Sequence, residues 1–278
     1  MRVPEMPDDL ARRRDVAEAA ARASGAFHIK YLSSVIDFET KADPRDVLTK
    51  ADLEGQVAAK AVIEAAFPGE NIVGEEDGLS YADMERQFAE GCWLIDPLDG
   101  TQSYVHAFPA FVAGVAYVRG EVSLAGAIYD AVHDDMYSAA RGHGATFNGE
   151  ACRVTPPKAL KDSLVGIHIR EVGDEAIEMF MRTTGNLLPK AHGIRLLGCP
   201  MLTMAYIAAA RLDAFAMLSP AKLGPWDLAP AVVVLEEAGG VVGEGLTGRT
   251  LRLSDRAIAG ASSRALLDEV YAVANGAG

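Results

Sequence analysis

Residues Trp93 to Pro109 read WLIDPLDGTQSYVHAFP, and the rest of the chain can be placed around them. Trp93, Leu94 and Ile95 predict the end of a buried strand. It runs straight into Asp96-Pro97-Leu98-Asp99-Gly100-Thr101. Pro97 fixes its own φ and pushes Asp96 out of the helical region, so Asp96 is expected extended at the strand tip. Gly100 allows a tight turn and leaves its amide uncovered. Thr101 is a good N-cap for a short helix from Gln102 to His106. Two carboxylates, a hydroxyl and a helix N-terminus thus gather at the mouth of a strand. Carboxylates bind hard cations and helix N-termini bind phosphate, which points to a metal-and-phosphate site. The alternative is an ordinary turn, since Asp, Pro and Gly are turn residues.

The 278 residues suffice for one large domain or two intimate lobes. A formal charge of −13 argues against nucleic acid or anionic membranes as partners. A small phosphorylated molecule is still admissible if cations stand between the two sets of negative charge. No secretory signal is legible in MRVPEMPDDLARRR, and the longest apolar run, Ala107 to Val118, is too short to span a membrane. Cys92, Cys152 and Cys199 are few and far apart, as expected of reduced thiols in a cytoplasmic protein.

In chain order, a helix is expected from Asp8 to about Leu32, with Leu10, Val16, Ala20 and Phe27 on one face. A second runs from about Ala51 to Phe67 and stops at Pro68-Gly69. Asn71 to Gly74 is a short strand opening on Glu75-Glu76-Asp77, followed by a helix from Tyr81 to Phe88. From Phe108 to Val154 the pattern is strands with turns at Arg119-Gly120-Glu121, His133-Asp134-Asp135 and Asn148-Gly149, hence an antiparallel meander. Pro156-Pro157 marks a lobe boundary, giving residues 1–155 and 156–278. Beyond it strands (Leu164 to Ile169, Ile194 to Leu197, Ala214 to Leu218) alternate with helices (Asp174 to Thr184, Met201 to Arg211, Asp227 to Ala238). A strand, a hairpin at Thr247-Gly248, a strand from Ala257 to Ala261 and a helix from Ser263 to Ala274 close the chain. This alternation is that of layered α and β.

Acidic residues recur where an apolar element meets a loop: Glu75, then Asp96 and Asp99, then Asp227. Asp227 precedes Pro230, and proline belongs in the first turn of a helix, so Asp227 is expected at or near an N-cap. Taken singly it is as well read as a capping residue. Two like charges about 4 Å apart repel by roughly 4 kcal/mol at a dielectric near 20. Four carboxylates in one cleft therefore imply cations, if they converge. Oxygen ligands without His or Cys favour Mg²⁺ or Mn²⁺ over Zn²⁺.

The stretches GEED (Gly74 to Asp77), WLIDPLDGTQSYVHAFP and PWDLAPAVVVLEEAGG (Pro225 to Gly240), with Lys41 and DVLTKAD (Asp46 to Asp52), resemble the inositol monophosphatase family. The resemblance implies a five-layered αβαβα sugar-phosphatase fold, an α+β lobe joined to an α/β lobe. It also implies a homodimer and phosphate monoester hydrolysis with two or three Mg²⁺ ions. Position by position, Glu75 matches the metal-binding glutamate that orients the attacking water, and Asp96 a bridging metal ligand. Leu98 matches a residue whose backbone carbonyl binds metal, while Asp99 and Asp227 match ligands of the second metal. Thr101 matches a water-activating threonine, and the Gly100 and Thr101 amides the phosphate-holding pair. Asp52 and Thr49 match a supporting catalytic pair, and Lys41 a lysine near the metal entrance.

Substrate choice departs from the inositol-specific pattern. Where those members carry a glutamate gripping ring hydroxyls, Met217 stands here, and a thioether cannot accept such bonds as a carboxylate does. The following loop is longer than usual and carries Lys222, either a second anion contact or an exposed lysine. Another small phosphate monoester is expected, such as a modified cyclitol, a sugar phosphate or histidinol phosphate. Inositol-1-monophosphatase proper, bisphosphate nucleotidase and fructose bisphosphatase are the alternatives. Arg195 heads a strand at the lobe junction, where a role in dimer contacts or in the second lobe's site is equally open. A regulatory binding protein on the same fold would be expected to have lost a ligand carboxylate, and none is lost. No histidine is assigned to catalysis.

Overall fold

The structure, a computed structural model, describes residues 8–32, 38–40, 47–168, 173–218, 223–245 and 247–276. The first helix, α1 (Leu10–Leu32), buries Ala17, Ala20, Ala21, Ser24, Gly25 and His28. This face is made of small residues, and Val16 and Phe27, expected on it, are only half buried. Small side chains let α1 approach the sheet beneath it closely. A short ribbon, β1 (Phe38–Thr40) with β2 (Val47–Thr49), leads into α2 (Lys50–Ala66). Thr49 caps α2, its hydroxyl accepting from the Ala51 amide.

The first sheet holds seven strands in sequence order. They are β3 (Asn71–Gly74), β4 (Cys92–Asp99), β5 (Val112–Arg119), β6 (Val122–Asp130), β7 (Asp135–Ala140), β8 (Gly144–Phe147) and β9 (Glu150–Cys152). Between β3 and β4 lies α3 (Tyr81–Glu90), and after β4 comes α4 (Thr101–Val105). The β3–β4 pair is parallel and the rest is the expected antiparallel meander. Asn148 and Gly149, both at positive φ (52° and 80°), form the tight turn joining β8 to β9.

The second sheet runs in the order β11 (Gly193–Arg195), β10 (Leu164–Ile167), β12 (Ala214–Met217), β14 (Ile258–Ala261), β13 (Val241–Glu244). β10, β11 and β12 are parallel, because the helices α5 (Asp174–Leu187) and α6 (Pro200–Ala208) make the crossovers. α7 (Pro225–Glu237) and α8 (Arg264–Ala274) complete the set. α6 stops at Ala208, short of the expected Arg211, as Ala210 turns with φ 58°.

The layers follow from which helices are apolar all round. α6 and α7 are buried along nearly their whole length, as helices between two sheets must be. They share one core with β5 and β7 on one side and β12 and β13 on the other. α1 and α2 cover the outer face of the first sheet, and α5 and α8 that of the second. The order is α, β, α, β, α, as expected. Gly114 on β5 makes the central contact possible. A Cβ there would lie 2.3 Å from the Met201 sulfur and 3.1 Å from the Pro230 ring.

Candidate functional site

The site starts from an irregularity in β4. Asp96 pairs with Gly114 and Asp99 with Val112, so two residues, Pro97 and Leu98, stand opposite the single Ala113. That extra residue makes a bulge, which bends a strand and re-aims its side chains. Pro97 suits the position because it has no N–H to give to the ladder. The Pro97 carbonyl instead accepts from Ser24 Oγ at 3.1 Å and His28 Nε2 at 2.7 Å, both on α1. The Leu98 amide donates to Asp96 Oδ1 at 3.0 Å.

Gly100 follows at φ 90°, ψ 31° and is itself the N-cap of α4. This corrects the expected capping role of Thr101, which is the first helical residue. Its hydroxyl donates backwards to the Leu98 carbonyl at 2.9 Å. A carbonyl has two lone pairs, so this bond leaves the Leu98 oxygen with acceptor capacity.

Glu75 opens a short 3₁₀ turn after β3. Gly74 pairs with Ile95 in the parallel β3–β4 ladder, so Glu75 and Asp96 come next in register. The turn is pinned from α2: Gln56 accepts from the Glu76 amide, and Gln56 and Lys60 both donate to Asp77. Asp227 arrives from the other half of the chain. It lies three residues beyond the N-cap Gly224, whose amide donates to its Oδ2 at 2.6 Å. α7 starts earlier than expected, with Pro225, so Pro230 lies in its second turn and not its first. The inference that Asp227 stands near the helix start holds; the proline argument for it does not.

Asp96, Asp99 and Asp227 converge. Each offers an oxygen within 4.8 Å of the others, and all three are buried. Burial pushes the Asp96 carboxyl well above the usual range, and the charges of Glu75, Asp227 and Asp99 push it further. Its Oδ2 is buried with no hydrogen-bond partner. An orphaned carboxylate oxygen among three other acids is what a cation would satisfy. The donors are all oxygen, which suits a hard divalent ion. The residues present therefore fit a metal.

Asp99 is held by contacts that sequence reasoning missed. Its Oδ2 accepts from the Met201 amide at 2.8 Å and from Cys199 Sγ at 3.0 Å, so the carboxylate sits at the positive end of α6. Burial, then Asp99 itself, raises the Cys199 thiol, which stays protonated and donates. The legible signal was Gly198-Cys199-Pro200 before an apolar run, a helix start with proline at its first position.

Thr49 and Asp52 are both buried. The Asp52 Oδ2 accepts from the Thr49 amide at 2.7 Å and its hydroxyl at 2.5 Å. Asp52 lies near enough to α4 for its charge to raise Tyr104, after the larger effect of burial. Met217 is wholly buried in the central core. It has no surface to offer a substrate, so Met217, counted among the substrate-lining positions by its match to the ring-gripping glutamate, makes no such contact. Arg195 is exposed on the edge strand β11. Lys41 and Lys222 lie outside the described residues.

The layer order and the family match are those of a phosphoric monoester hydrolase. The sequence pattern of the inositol monophosphatase family matches residues 9–277, and the chain belongs to that family. Over 270 residues it is 29% identical to inositol monophosphatase 1 of Sus scrofa, covering 95% of each chain. It is 32% identical over 235 residues to the Nus factor SuhB of Pseudomonas aeruginosa, covering 83% of this chain and 84% of that one. Among solved structures, an IMPase from Thermotoga maritima superposes with a TM-score of 0.83 at 27% identity, covering 96% of this chain and 98% of that one. Among the described residues no helix is long and apolar enough to cross a membrane.

Proposed function

We propose that the chain hydrolyses a small phosphate monoester with Mg²⁺, water being the nucleophile. The observation that carries this reading is the buried, oxygen-only convergence of Asp96, Asp99 and Asp227 from β4 and α7, with one Asp96 oxygen left over. Asp96, Asp99, Asp227 and Glu75, with the Leu98 carbonyl, would hold two or three divalent ions; Mn²⁺ has the same ligand preference. Divalent ions held there would supply acidification of a water and stabilisation of charge on the leaving oxygen. Glu75 orients the attacking water, Thr101 shares in its activation, and the Thr49–Asp52 pair supports Thr101. The amides of Gly100 and Thr101 hold the phosphate.

For substrate, the buried Met217 leaves the end of β12 without the carboxylate that inositol-specific members place there. That favours a modified cyclitol, a sugar phosphate or histidinol phosphate over inositol 1-phosphate. The intact acidic set favours catalysis over a regulatory binding protein. A homodimer rests on the family resemblance, a cytoplasmic location on the few, widely spaced cysteines, and the division into lobes 1–155 and 156–278 on Pro156-Pro157. The charge of −13 supports partners other than nucleic acid.

The test is release of inorganic phosphate from a panel of phosphorylated metabolites. Turnover is expected with Mg²⁺ and none with EDTA, and Asp96→Asn is expected to lower it by at least about 10³-fold. Near-normal turnover in that variant contradicts the assigned role. A clear preference for inositol 1-phosphate refutes the argument from Met217.

A further inference from the structure

The bulge that carries the ligands of β4 is held from outside its own sheet. Pro97 and Leu98 have no register partner on β5, so the ladder does not fix their shared peptide. The proline ring sets φ of Pro97 but leaves ψ free. That peptide is planar, with its carbonyl oxygen and its N–H pointing opposite ways. At one end the Pro97 oxygen accepts from Ser24 Oγ and His28 Nε2. At the other the Leu98 N–H donates to Asp96 Oδ1. Holding the oxygen therefore aims the N–H, and the N–H holds one Asp96 oxygen so that the other, Oδ2, is left for the cluster.

The nature of His28 supports a directional role. It is fully buried, its ring packed near Tyr104 and Phe111. A carbonyl only accepts, so Nε2 carries the proton, while Nδ1 is buried with no hydrogen-bond partner. An apolar residue would fill this space without burying an unsatisfied nitrogen. What imidazole adds is the Nε2 donor. The Tyr104 hydroxyl, from α4, donates to the His28 carbonyl and ties the same turn of α1 to the helix after the bulge.

We propose that Ser24 and His28 are positioning residues for the metal centre, orienting Asp96 through the Pro97–Leu98 peptide. This rests on the metal reading of the site given above. The test is Mn²⁺ binding, followed by the paramagnetic resonance of the free ion, in the parent chain and in Ser24→Ala, His28→Leu and His28→Gln. Urea unfolding in EDTA serves as the control for folding. Glutamine can place an amide donor near the position of Nε2, whereas leucine cannot. The dissociation constant is expected to rise about tenfold in His28→Leu and about threefold in Ser24→Ala, and to stay within about twofold in His28→Gln. If His28→Leu does not fold, Ser24→Ala and His28→Gln carry the same comparison. Unchanged Mn²⁺ affinity in the folded donor-less variants, whatever their stability in urea, overturns the positioning role alone. A parent chain that binds no Mn²⁺ overturns the metal reading and this inference with it.

Discussion

At the scale of single residues, the site stores repulsion that a cation relieves. Two ionised carboxylates no more than 4.8 Å apart repel by at least about 3.5 kcal/mol at a dielectric near 20. Asp96 is therefore expected to destabilise the metal-free protein. Its folded pKa lies above the unfolded value, so the stability it contributes is present at low pH and lost as pH rises. In EDTA, Asp96→Asn should raise the urea midpoint at pH 7.5 and leave it almost unchanged at pH 4. An equal or lower midpoint at pH 7.5 would contradict the crowding. His28 acts with the opposite sign. Burial lowers its pKa to about 4 from 6.5, only partly offset by its bond to Pro97. The unfolded chain takes up that proton first as pH falls. Stability is thus full above pH 6.5 and is lost by about 3 kcal/mol on the way to pH 4. Subtracting the urea stability of His28→Gln from that of the parent at each pH isolates this contribution.

At the scale of elements, the decisive one is β4 with the turn after it. Gly100 takes a conformation that side chains rarely adopt, and a Cβ there would lie 2.5 Å from the Ala110 carbonyl oxygen. Gly100→Ala should cost about 2–3 kcal/mol in urea and weaken Mn²⁺ binding, since the turn must shift to admit it. Unchanged values for both would show that the turn is not under this constraint. Much of this element was legible in sequence. An apolar strand running into Asp-Pro-Leu-Asp-Gly-Thr marked its place, while the candidate ligands were what the family resemblance implied. The cap was misassigned because glycine caps by conformation, whereas Thr101 had been judged by its hydroxyl. The start of α7 was misplaced because Pro230 was taken for a first-turn proline, whereas Pro225 opens the helix and Pro230 stands in its second turn. The contacts of Ser24, His28 and Cys199 were not legible, because they join residues 69 to 100 positions apart.

At the scale of the whole molecule, the alternation of helices and strands pointed to layered α and β, while the five-layer order was implied by the family resemblance and not by periodicity. α6 and α7 are buried along nearly their whole length and lie between the sheets. The outer helix α1 was read less well, because it docks through small residues rather than large ones. Its anchor is Arg13, only 5% exposed. The guanidinium makes two bonds to Glu70 and one to Asp9, and lies 3.8 Å from the Tyr117 ring centre. Arg13→Met removes the buried charge from its partners and is expected to lower stability by about 3 kcal/mol. The folded fraction should keep its turnover, because α2, the bulge and α7 are untouched. Loss of turnover in protein shown to be folded would mean that α1 governs the site more broadly than through Ser24 and His28. Carboxylates from distant parts of one chain are expected to meet around divalent ions. Crystals soaked in Mn²⁺ and measured at its absorption edge would locate those ions. An anomalous peak within about 2.5 Å of oxygens of Asp96, Asp99 and Asp227 is the predicted result. A fully occupied soak with no peak there, or with peaks only on surface carboxylates, would contradict it.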